Sequence, residues 1–334
     1  MNSVERVENR LAKLPVDRVP NLNIIMQFAA RYIQVPYGKY CTDYRYLVEG
    51  NLTCCRKFGI DMVSAISDPF RETAGFGGAV TILEDEVPRC TDYLIKKYED
   101  VRKLRPVDPA SSGRMHDRIK AISMYRQECS GEFPILGWVE GAFAEANDLR
   151  GMYQLMYDIR KEPELVKELV EVCLEQGILF AKAQIKEGAD WIGIGDAAAS
   201  LVSPQFYKEV VLPAEKILIN EIHGAGAKVK LHICGNTTAL LELMAESGAD
   251  MIDIDHLVDL KTAVEKIKGK ALVCGNFDPV SVLLEGDPET VKTHVRDCLS
   301  VGGQDIIISA GCEVPKNTPI ENLTAVSEAL LELS

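Results

Sequence analysis

The chain has 334 residues, 47% apolar and 26% charged, a composition typical of a globular protein with a substantial core. Its net charge of −13 and the lack of a basic block argue against a nucleic-acid partner. No apolar run reaches the length of a membrane span, and the charged N-terminus lacks a signal-peptide core, so we expect a cytoplasmic protein without a membrane partner. The ten scattered cysteines indicate reduced thiols rather than a disulfide scaffold.

Apolar segments of strand length alternate with helical patterns along the chain. The predicted strands are residues 23–27, 59–66, 133–140, 188–196, 228–234, 248–255, 270–278 and 305–312. The predicted helices are residues 4–14, 43–58, 113–128, 149–187 with an interruption near Pro163, 204–222, 238–247, 259–268, 288–301 and 320–333. The region between the second and third strands is irregular, with residues 80–87 as a candidate hairpin arm.

This alternation predicts the fold class. Continuous apolar strands are typical of a parallel sheet covered on both faces, and eight β/α units indicate a (β/α)8 TIM barrel. Gly-Ala-Asp precedes strands four and six, as a repeated helix-to-strand turn. We predict a single TIM-barrel domain over residues 1–334, with an N-terminal helical extension and an insertion after strand two. A doubly wound open sheet is the alternative, and the absence of a G-x-G-x-x-G motif after the first strand disfavours it.

Strand five ends in two residues that are good zinc ligands. His232 and Cys234 lie two residues apart, so they point to the same face where the strand gives way to a Gly-Asn turn. Strand eight ends at Cys312, also next to a glycine. A His-x-Cys pair alone is a weak signal, since cysteine usually just packs, but the barrel places both strand ends on one rim. We therefore predict a zinc site formed by His232, Cys234 and Cys312.

Carboxylates are concentrated at the same predicted rim, where TIM barrels hold their active sites. The acidic residues at the strand ends are Asp68, Glu140, Asp196, Asp253, Asp255 and Asp278. Each could instead cap a helix or lie satisfied in the core, and Asp278 before Pro279 is typical of a cap. Asp255 is our candidate for a weak fourth zinc ligand.

The ligand types favour one kind of chemistry. Two thiolates and one imidazole leave a fourth tetrahedral position for a substrate. Sulfur-rich zinc suits the binding of a substrate thiol as a nucleophilic thiolate, whereas hydrolytic zinc sites more often use histidine and carboxylate ligands. The sequence therefore predicts alkyl transfer to a thiol.

Several motifs now identify a family. The chain resembles the uroporphyrinogen decarboxylase superfamily over nearly its whole length, in PVDRVP at 15–20, SDP at 67–69, DAAAS at 196–200, GNFDP at 275–279 and GCEVP at 311–315. His-x-Cys followed by a distant Gly-Cys resembles its zinc methyltransferase branch. Those enzymes move a methyl group between a corrinoid protein and a thiol, typically coenzyme M in methylotrophic methanogens. The resemblance implies a TIM barrel, zinc as cofactor, a methylcorrinoid as methyl donor, and a corrinoid protein and a small thiol as partners.

A mechanistic hypothesis gives roles to the rim residues. A zinc-bound thiolate would attack the methyl group on cobalt. Asp255 would move on and off the metal, while Asp196 and Glu140 would shape the pocket or accept the thiol proton. We expect Asp68 and Asn276 to contact the bound cofactor.

Two further points concern the thiol. Arg71 and Lys316, on rim loops, are candidates for holding the anionic end of an acidic thiol. Coenzyme M, homocysteine or another thiol would fit, and the direction of transfer, the corrinoid protein and the oligomeric state are left open.

The decarboxylase branch is the nearest rival. It shares the fold and an aspartate at the position of Asp68, but it depends on an arginine-rich stretch after the first strand, roughly Arg-Gln-Ala-Gly-Arg. The corresponding stretch here, QFAAR at 27–31, lacks the leading arginine that would grip substrate carboxylates. A non-catalytic zinc- or corrinoid-binding protein is a third interpretation.

Overall fold

The computed structural model describes residues 1–333, and its centre is a curled parallel sheet. Seven strands neighbour one another in chain order: Val63–Ser64, Ile135–Glu140, Trp191–Gly195, Lys228–Ile233, Met251–Ile254, Leu272–Cys274 and Ile306–Ile307. They correspond to the second to eighth predicted strands. Their residues are almost entirely buried, as continuous apolar runs between two layers predict.

Residues 21–22, which precede the helix Gln27–Tyr32, close the sheet into a ring. The backbone N–H of Leu22 donates to the carbonyl of Ile308 at 2.8 Å, on the side of the eighth strand. On the other side, the N–H of Asp61 donates to the carbonyl of Asn21 at 2.7 Å, just before the second strand. The predicted TIM barrel, with its N-terminal helix and its insertion after strand two, is therefore confirmed.

The predicted first strand at 23–27 is wrong in its extent. A single parallel bridge at Asn21 represents it, and the chain already turns into the helix Gln27–Tyr32. The side chain of Asn23 explains the early end, because its Oδ1 accepts the N–H of Ala310 at 2.8 Å. A side-chain amide thus takes a hydrogen bond that the backbone ladder would otherwise make.

Helices surround the sheet, and several short ones lie at its rim. They span Ser3–Leu11, Gln27–Tyr32, Tyr37–Tyr40, Tyr44–Phe58, Arg71–Gly75, Tyr98–Val101, Gly113–Cys129, Ala142–Arg150, Met152–Lys161, Pro163–Lys186, Pro204–Phe206, Leu212–Gly224, Leu241–Ala245, Leu260–Ile267, Pro288–Gly302 and Ile320–Glu332. Wider π-type turns occupy Tyr207–Val211 and Pro279–Leu284, and 3-10 turns occupy Ala197–Leu201 and Gly303–Asp305. Across residues 1–333, no helix is both long enough and apolar enough to cross a membrane.

Two predictions within the outer layer need correction. The helix predicted at 149–187 is three helices beginning at Ala142, with breaks at Gly151 and before Pro163. Gly151 has φ of +84°, which explains the first break, and proline opens the third helix as expected. The hairpin arm predicted at 80–87 is an antiparallel pair, Ala79–Thr81 with Arg89–Asp92, and most of 80–87 is its loop.

The interior of the barrel is packed by large apolar side chains, and the N-terminal helix covers its lower end. Val7 from that helix joins the interior cluster, whose other members are Leu22, Ile24, Met62, Ile66, Leu136, Trp138, Trp191, Met251, Leu272, Cys274 and Ile307. Arg6 holds the helix in place through Asp61, which is fully buried, at 2.6 Å. The filled interior leaves room for a site only at the upper rim.

Candidate functional site

His232, Cys234 and Cys312 converge at the upper rim. Their ligand atoms all lie within 4.8 Å of one another. His232 Nε2 is 2.9 Å from Cys234 Sγ, and the two sulfurs are 4.0 Å apart. Strand five positions the first pair, and the turn at Gly311 brings Cys312 across from strand eight; an added Cβ at Gly311 would lie 2.2 Å from the backbone of His256.

The electrostatics of the cluster favour ionisation of Cys312 over that of Cys234. The contact with Cys234, followed by His232, lowers the pKa of Cys312, while the same sulfur–sulfur contact raises the pKa of Cys234. Burial acts to lower the pKa of His232, but Cys234 and Asp253 outweigh it and raise that pKa well above its usual value. A thiolate beside an imidazole is a donor set for a soft or borderline cation.

A buried ion pair lies behind His232. Asp253 Oδ2 is 3.2 Å from His232 Nδ1 and 3.0 Å from Lys230 Nζ. Lys230 and Asp253 are each 1% exposed. Lys230 and His232 share the inner face of strand five, and His232 is in register with Asp253 on strand six. Asp253 was expected at the rim, but Lys230 was missed, although its i−2 spacing from His232 was a usable signal.

A cavity of about 140 Å³ opens beside the cluster. Three carboxylate side chains line it together with the two cysteines and the histidine, and the remaining walls are largely apolar. The lining residues are Ile24, Met26, Ile66, Asp68, Pro69, Trp138, Glu140, Gly195, Ala197, His232, Cys234, Cys312 and Glu313. The indole of Trp138 fits because strand four has glycine opposite it: a Cβ at Gly193 would lie 2.1 Å from the ring.

Asp68 lines this cavity with both oxygens already bonded. Arg114 binds it in a two-pronged contact, at 2.8 Å to Oδ1 and 2.6 Å to Oδ2, and Ser67 donates to Oδ2 at 2.7 Å. Burial acts to raise the pKa of Asp68, but Arg114 outweighs it and holds that pKa at about 2. Asp68 is therefore an ionised, tightly held wall of the cavity.

Glu140 also lines the cavity, at the end of strand three. Its Oε1 accepts a hydrogen bond from Arg71 at 2.7 Å, and its backbone N–H donates to Glu72 at 2.9 Å. Burial raises the pKa of Glu140 well above its usual value, and the Arg71 guanidinium only partly offsets this. A carboxyl group with a raised pKa next to a substrate cavity is suited to proton transfer.

Asp196 lies beneath the cavity wall rather than on it. Its Oδ1 accepts the N–H of Ala144 at 2.8 Å, in the first turn of the helix Ala142–Arg150. An added Cβ at Gly141 would lie 2.4 Å from its carboxyl carbon, so the group is tightly enclosed. Burial raises the pKa of Asp196 to about 7. Its observed contact is that of a buried cap for this helix.

Asp255 and Asn276 hold the loops around the cysteines. Asp255 Oδ2 accepts the N–H of Gly235 at 2.8 Å, and its Oδ1 accepts the N–H of Leu257 at 3.0 Å. The amide of Asn276 donates to the carbonyls of Asp255 and Val258 at 3.0 and 2.7 Å. The structure does not bring Asp255 into the cluster of three ligand atoms, and neither residue is among those that line the cavity.

The candidate anion-holding residues are not among those that line the cavity. Arg71 has no exposed side-chain surface and contacts Glu140, while Lys316 forms an ion pair with Asp85 at 2.6 Å in a separate surface groove. Glu313, next to Cys312, does line the cavity and was missed. Its Oε1 accepts the N–H of Gln27 at 2.8 Å, a long-range contact that no local pattern signals.

Comparison with known proteins places this site in a family. The model of the uroporphyrinogen decarboxylase (URO-D) family matches residues 2–333. The chain belongs to the URO-D family. This URO-D family member is 30% identical to the methylcobamide:CoM methyltransferase MtbA of Methanosarcina acetivorans, over 97% of this chain and 96% of that protein. The uroporphyrinogen decarboxylase of Carboxydothermus hydrogenoformans is 27% identical, over 92% of this chain and 90% of that protein.

Solved structures agree on the fold of the URO-D family member. A methyltransferase from Methanosarcina mazei superimposes with a TM-score of 0.92 at 24% identity, covering 100% of this chain and 99% of that one. The family inferred from the sequence motifs is thus confirmed. The resemblance to its methyltransferase branch is confirmed by the methyltransferase relatives. The predicted enzyme class, a methyltransferase, is the class named for these relatives.

Proposed function

We propose that this protein transfers a methyl group between a methylated corrinoid and a small thiol. The observation that supports this most is the cluster of His232, Cys234 and Cys312 at the mouth of a small cavity. Relatives that match nearly the whole chain are named methylcobamide:CoM methyltransferases. The cavity of about 140 Å³ has room for a small thiol. In the forward direction the carbon–sulfur bond forms as the cobalt–carbon bond breaks, with both electrons left on cobalt.

The three side chains fit a zinc ion. The 4.0 Å sulfur–sulfur distance is close to the about 3.8 Å expected for two thiolates on one tetrahedral zinc. His232 and Cys234 lie at hydrogen-bond distance and need to separate by about 0.6–0.7 Å to share an ion. A bound zinc ion would supply a Lewis acid that lowers the pKa of the substrate thiol towards neutrality.

The other residues act by orientation and by proton transfer. Asp253 fixes the ring of His232 so that Nε2 faces the cysteines, and Lys230 balances the charge of Asp253. Trp138 and its apolar neighbours exclude water from the reacting sulfur. Of the three catalytic candidates, Glu140 lines the cavity and is our proposed acceptor of the thiol proton, while Asp196 and Asp255 hold the surrounding backbone.

The decarboxylase alternative has less support. The stretch QFAAR at 27–31 lacks the leading arginine that would grip the carboxylates of a porphyrinogen. Asp68, the residue expected to serve that chemistry, has both oxygens bonded to Arg114. In the proposed methyl transfer, by contrast, the corrinoid protein stays outside the cavity, and only the methyl group on its cobalt has to reach the cavity mouth.

The test is demethylation of methylcobalamin by the zinc-loaded protein with a panel of thiols. The absorbance of the cobalamin measures the reaction. We expect thiol-dependent demethylation in the wild type and a loss of at least about 100-fold in Cys312→Ser, since a catalytic ligand is removed. Cys129→Ser is the matched control, because Cys129 is buried at a helix end remote from the cluster. Failure of the wild type with every thiol, together with activity on uroporphyrinogen, would select the decarboxylase alternative.

A further inference from the structure

Two glutamates share one arginine at the cavity wall. Arg71 Nη2 donates to Glu140 Oε1 at 2.7 Å, and Arg71 Nε lies 3.6 Å from Glu72 Oε2. Glu72 Oε1 also accepts the backbone N–H of Glu140 at 2.9 Å. Of the two glutamates, Glu140 lines the cavity. These contacts join them into one unit, which we call the Glu72–Glu140 pair.

The pair has more carboxyl groups than its buried surroundings can balance with positive charge. Arg71 is fully buried, and Glu72 and Glu140 are 1% and 7% exposed. Arg114, the next arginine along this wall, already binds both oxygens of Asp68. Two ionised carboxylates beside one buried guanidinium would leave one negative charge unpaired, which is costly away from solvent. The charge balance therefore favours one proton on the pair.

Unpartnered polar atoms lie within this unit. Glu72 Oε2 accepts no hydrogen bond, and Arg71 Nε and Nη1 donate none, although all three atoms are buried. Buried polar groups are nearly always hydrogen-bonded. A proton turns a carboxyl oxygen from an acceptor into a donor, so the hydrogen bonds of the pair can rearrange when its proton content changes. The unpartnered atoms therefore indicate a unit that can exist in more than one protonation state.

Two more carboxyl groups, Glu145 and Asp148, face the pair from the neighbouring helix. Burial raises the pKa of Glu145 well above its usual value, and Glu72 adds to this shift. Burial also raises the pKa of Glu140 well above its usual value, with Arg71 acting against it. The charges of Glu72 and Asp148 raise the pKa of Glu140 further. The surroundings of Glu140 thus favour its protonated form.

Two other titratable groups near the pair leave this balance unchanged. Cys173 stays an uncharged thiol, because burial raises its pKa well above its usual value. Asp68 acts to raise the pKa of Glu72, but its own charge is balanced by Arg114 at 2.6 Å. Arg71 is therefore the cation that the pair depends on.

We propose that the Glu72–Glu140 pair takes up the proton of the substrate thiol and keeps it inside the protein. This inference rests on the proposed function and deepens it, because it makes Glu72 a positioning residue for Glu140. The S–H bond of the thiol breaks, its electron pair stays on sulfur, and the proton bonds to a carboxylate oxygen of Glu140. Both glutamates are then protonated, so the charge of Arg71 offsets the new charge on sulfur. In the reverse direction the pair returns the proton.

The first test counts the protons that the zinc-loaded protein releases when it binds coenzyme M, the thiol in the names of its relatives. Calorimetry in two buffers of different ionisation enthalpy gives this number. At pH 7 we expect the wild type to release less than about half a proton per thiol, and Glu140→Gln to release about one, since a free thiol is protonated at this pH. Release of about one proton by the wild type, unchanged in Glu140→Gln, would overturn the inference.

Glu72→Gln separates proton sharing from a structural role. Glutamine keeps an oxygen that can accept the N–H of Glu140, but it removes the second carboxyl group. Arg71 then has a single ionised partner, so proton release should begin to rise at least about one pH unit lower than in the wild type. Glu215→Gln is the matched control, because Glu215 is a buried glutamate that bonds to Tyr207 instead. Identical pH profiles in the wild type and Glu72→Gln would overturn the inference.

Infrared spectroscopy tests the pair without any thiol. Carboxylic acids and carboxylates have different C=O stretching bands, so the shared proton is visible directly. In the zinc-loaded protein at pH 7, we expect the carboxylic acid signal to fall in Glu72→Gln, because the proton shared with Glu140 is lost. A signal that falls in neither Glu72→Gln nor Glu140→Gln would show that the pair holds no proton and would overturn the inference.

The two proposals fail in different ways. Retention of the thiol proton without demethylation of methylcobalamin would overturn the proposed function and leave the Glu72–Glu140 pair standing. Thiol-dependent demethylation together with full proton release by the wild type would overturn the role of the pair alone.

Discussion

At the scale of single residues, Asp253 lies behind His232, on the side of the ring away from Cys234. One oxygen of Asp253, Oδ2, lies 3.2 Å from His232 Nδ1 and 3.0 Å from Lys230 Nζ. A lysine at 1% exposure is costly inside a barrel that apolar residues otherwise fill. Burial acts to raise the pKa of Asp253, but the charges of Lys230 and His232 outweigh it and lower that pKa, so the carboxylate stays ionised beside the imidazole. We propose that it orients the ring.

Asp253→Ala should therefore weaken zinc binding. We expect a loss of about 10- to 100-fold in affinity, the usual effect of removing the carboxylate behind a metal-bound histidine. Competition with a fluorescent zinc chelator measures it. Asp250→Ala is the control, because Asp250 precedes the strand Met251–Ile254, at the end opposite to the cluster, where it contacts His223 and the N–H of Val229. Equal zinc affinities in the two variants would show that Asp253 does not orient the ligand.

The ion pair of Asp68 with Arg114 should make the stability of the fold depend on pH. The pKa of Asp68 is about 2 in the folded protein, below its ordinary value of 3.8, so the pair stabilises the fold above about pH 4 and this contribution is lost as the pH falls towards 2. Arg114→Met leaves Asp68 buried without its partner, which should cost about 3–5 kcal/mol at pH 7.

The deficit of Arg114→Met should shrink as the pH falls. Without the arginine, burial raises the pKa of Asp68, so the variant regains stability relative to the wild type once the carboxyl is protonated. Urea unfolding at pH 7, 5.5 and 4 measures this. The double variant Asp68→Asn with Arg114→Met controls for lost packing and should show little pH dependence of its deficit. A constant deficit in Arg114→Met across these pH values would argue against the ion pair as its cause.

At the scale of elements, strand and helix alternation could be predicted where the apolar pattern is continuous. The strand ending at His232 and Cys234 is an example, because its side-chain alternation directly gives the shared face of the ligands. The break at Gly151 was not predictable from periodicity, since both flanking segments are helical. The early end of the first strand was hidden for another reason: Asn23 bonds to Ala310, 287 residues away.

Gly151→Ala should destabilise the protein. The backbone there has φ of +84°, and an added Cβ would lie 2.6 Å from the ring of Tyr93. We expect a loss of about 1–3 kcal/mol in the free energy of unfolding, measured with urea. Gly113→Ala is the control, because no atom lies within 4 Å of its added Cβ, and it should stay within about 0.5 kcal/mol of the wild type. A similar small effect in both variants would contradict a strained turn at Gly151.

At the scale of the whole molecule, the TIM barrel explains why strand-end residues could be predicted to meet. His232 and Cys312 lie 80 positions apart, yet the closed parallel sheet brings their strand ends to one rim. The fold alone does not say which rim carboxylates reach the cavity. Glu140 lines it while Asp196 caps a helix behind it, and these contacts depend on neighbours distant in sequence.

We propose that residues 1–334 unfold as one domain. The N-terminal helix is joined to the barrel through Arg6 and Asp61, and Trp138 and Trp191 both lie in the barrel interior. Urea unfolding followed by tryptophan fluorescence and by far-UV circular dichroism should therefore give coincident transitions. Separate midpoints for the two signals would indicate more than one cooperative unit.

The zinc content of the purified protein, beside that of His232→Ala, Cys234→Ser and Cys312→Ser, tests the central claim most directly. We expect about one zinc per chain in the wild type after reconstitution, and a loss in each variant, because each removes one of three protein ligands. Cys129→Ser should retain the metal. A wild type that retains no zinc, or ligand variants that hold it as firmly as the wild type, would contradict the metal centre and the methyl transfer proposed to depend on it.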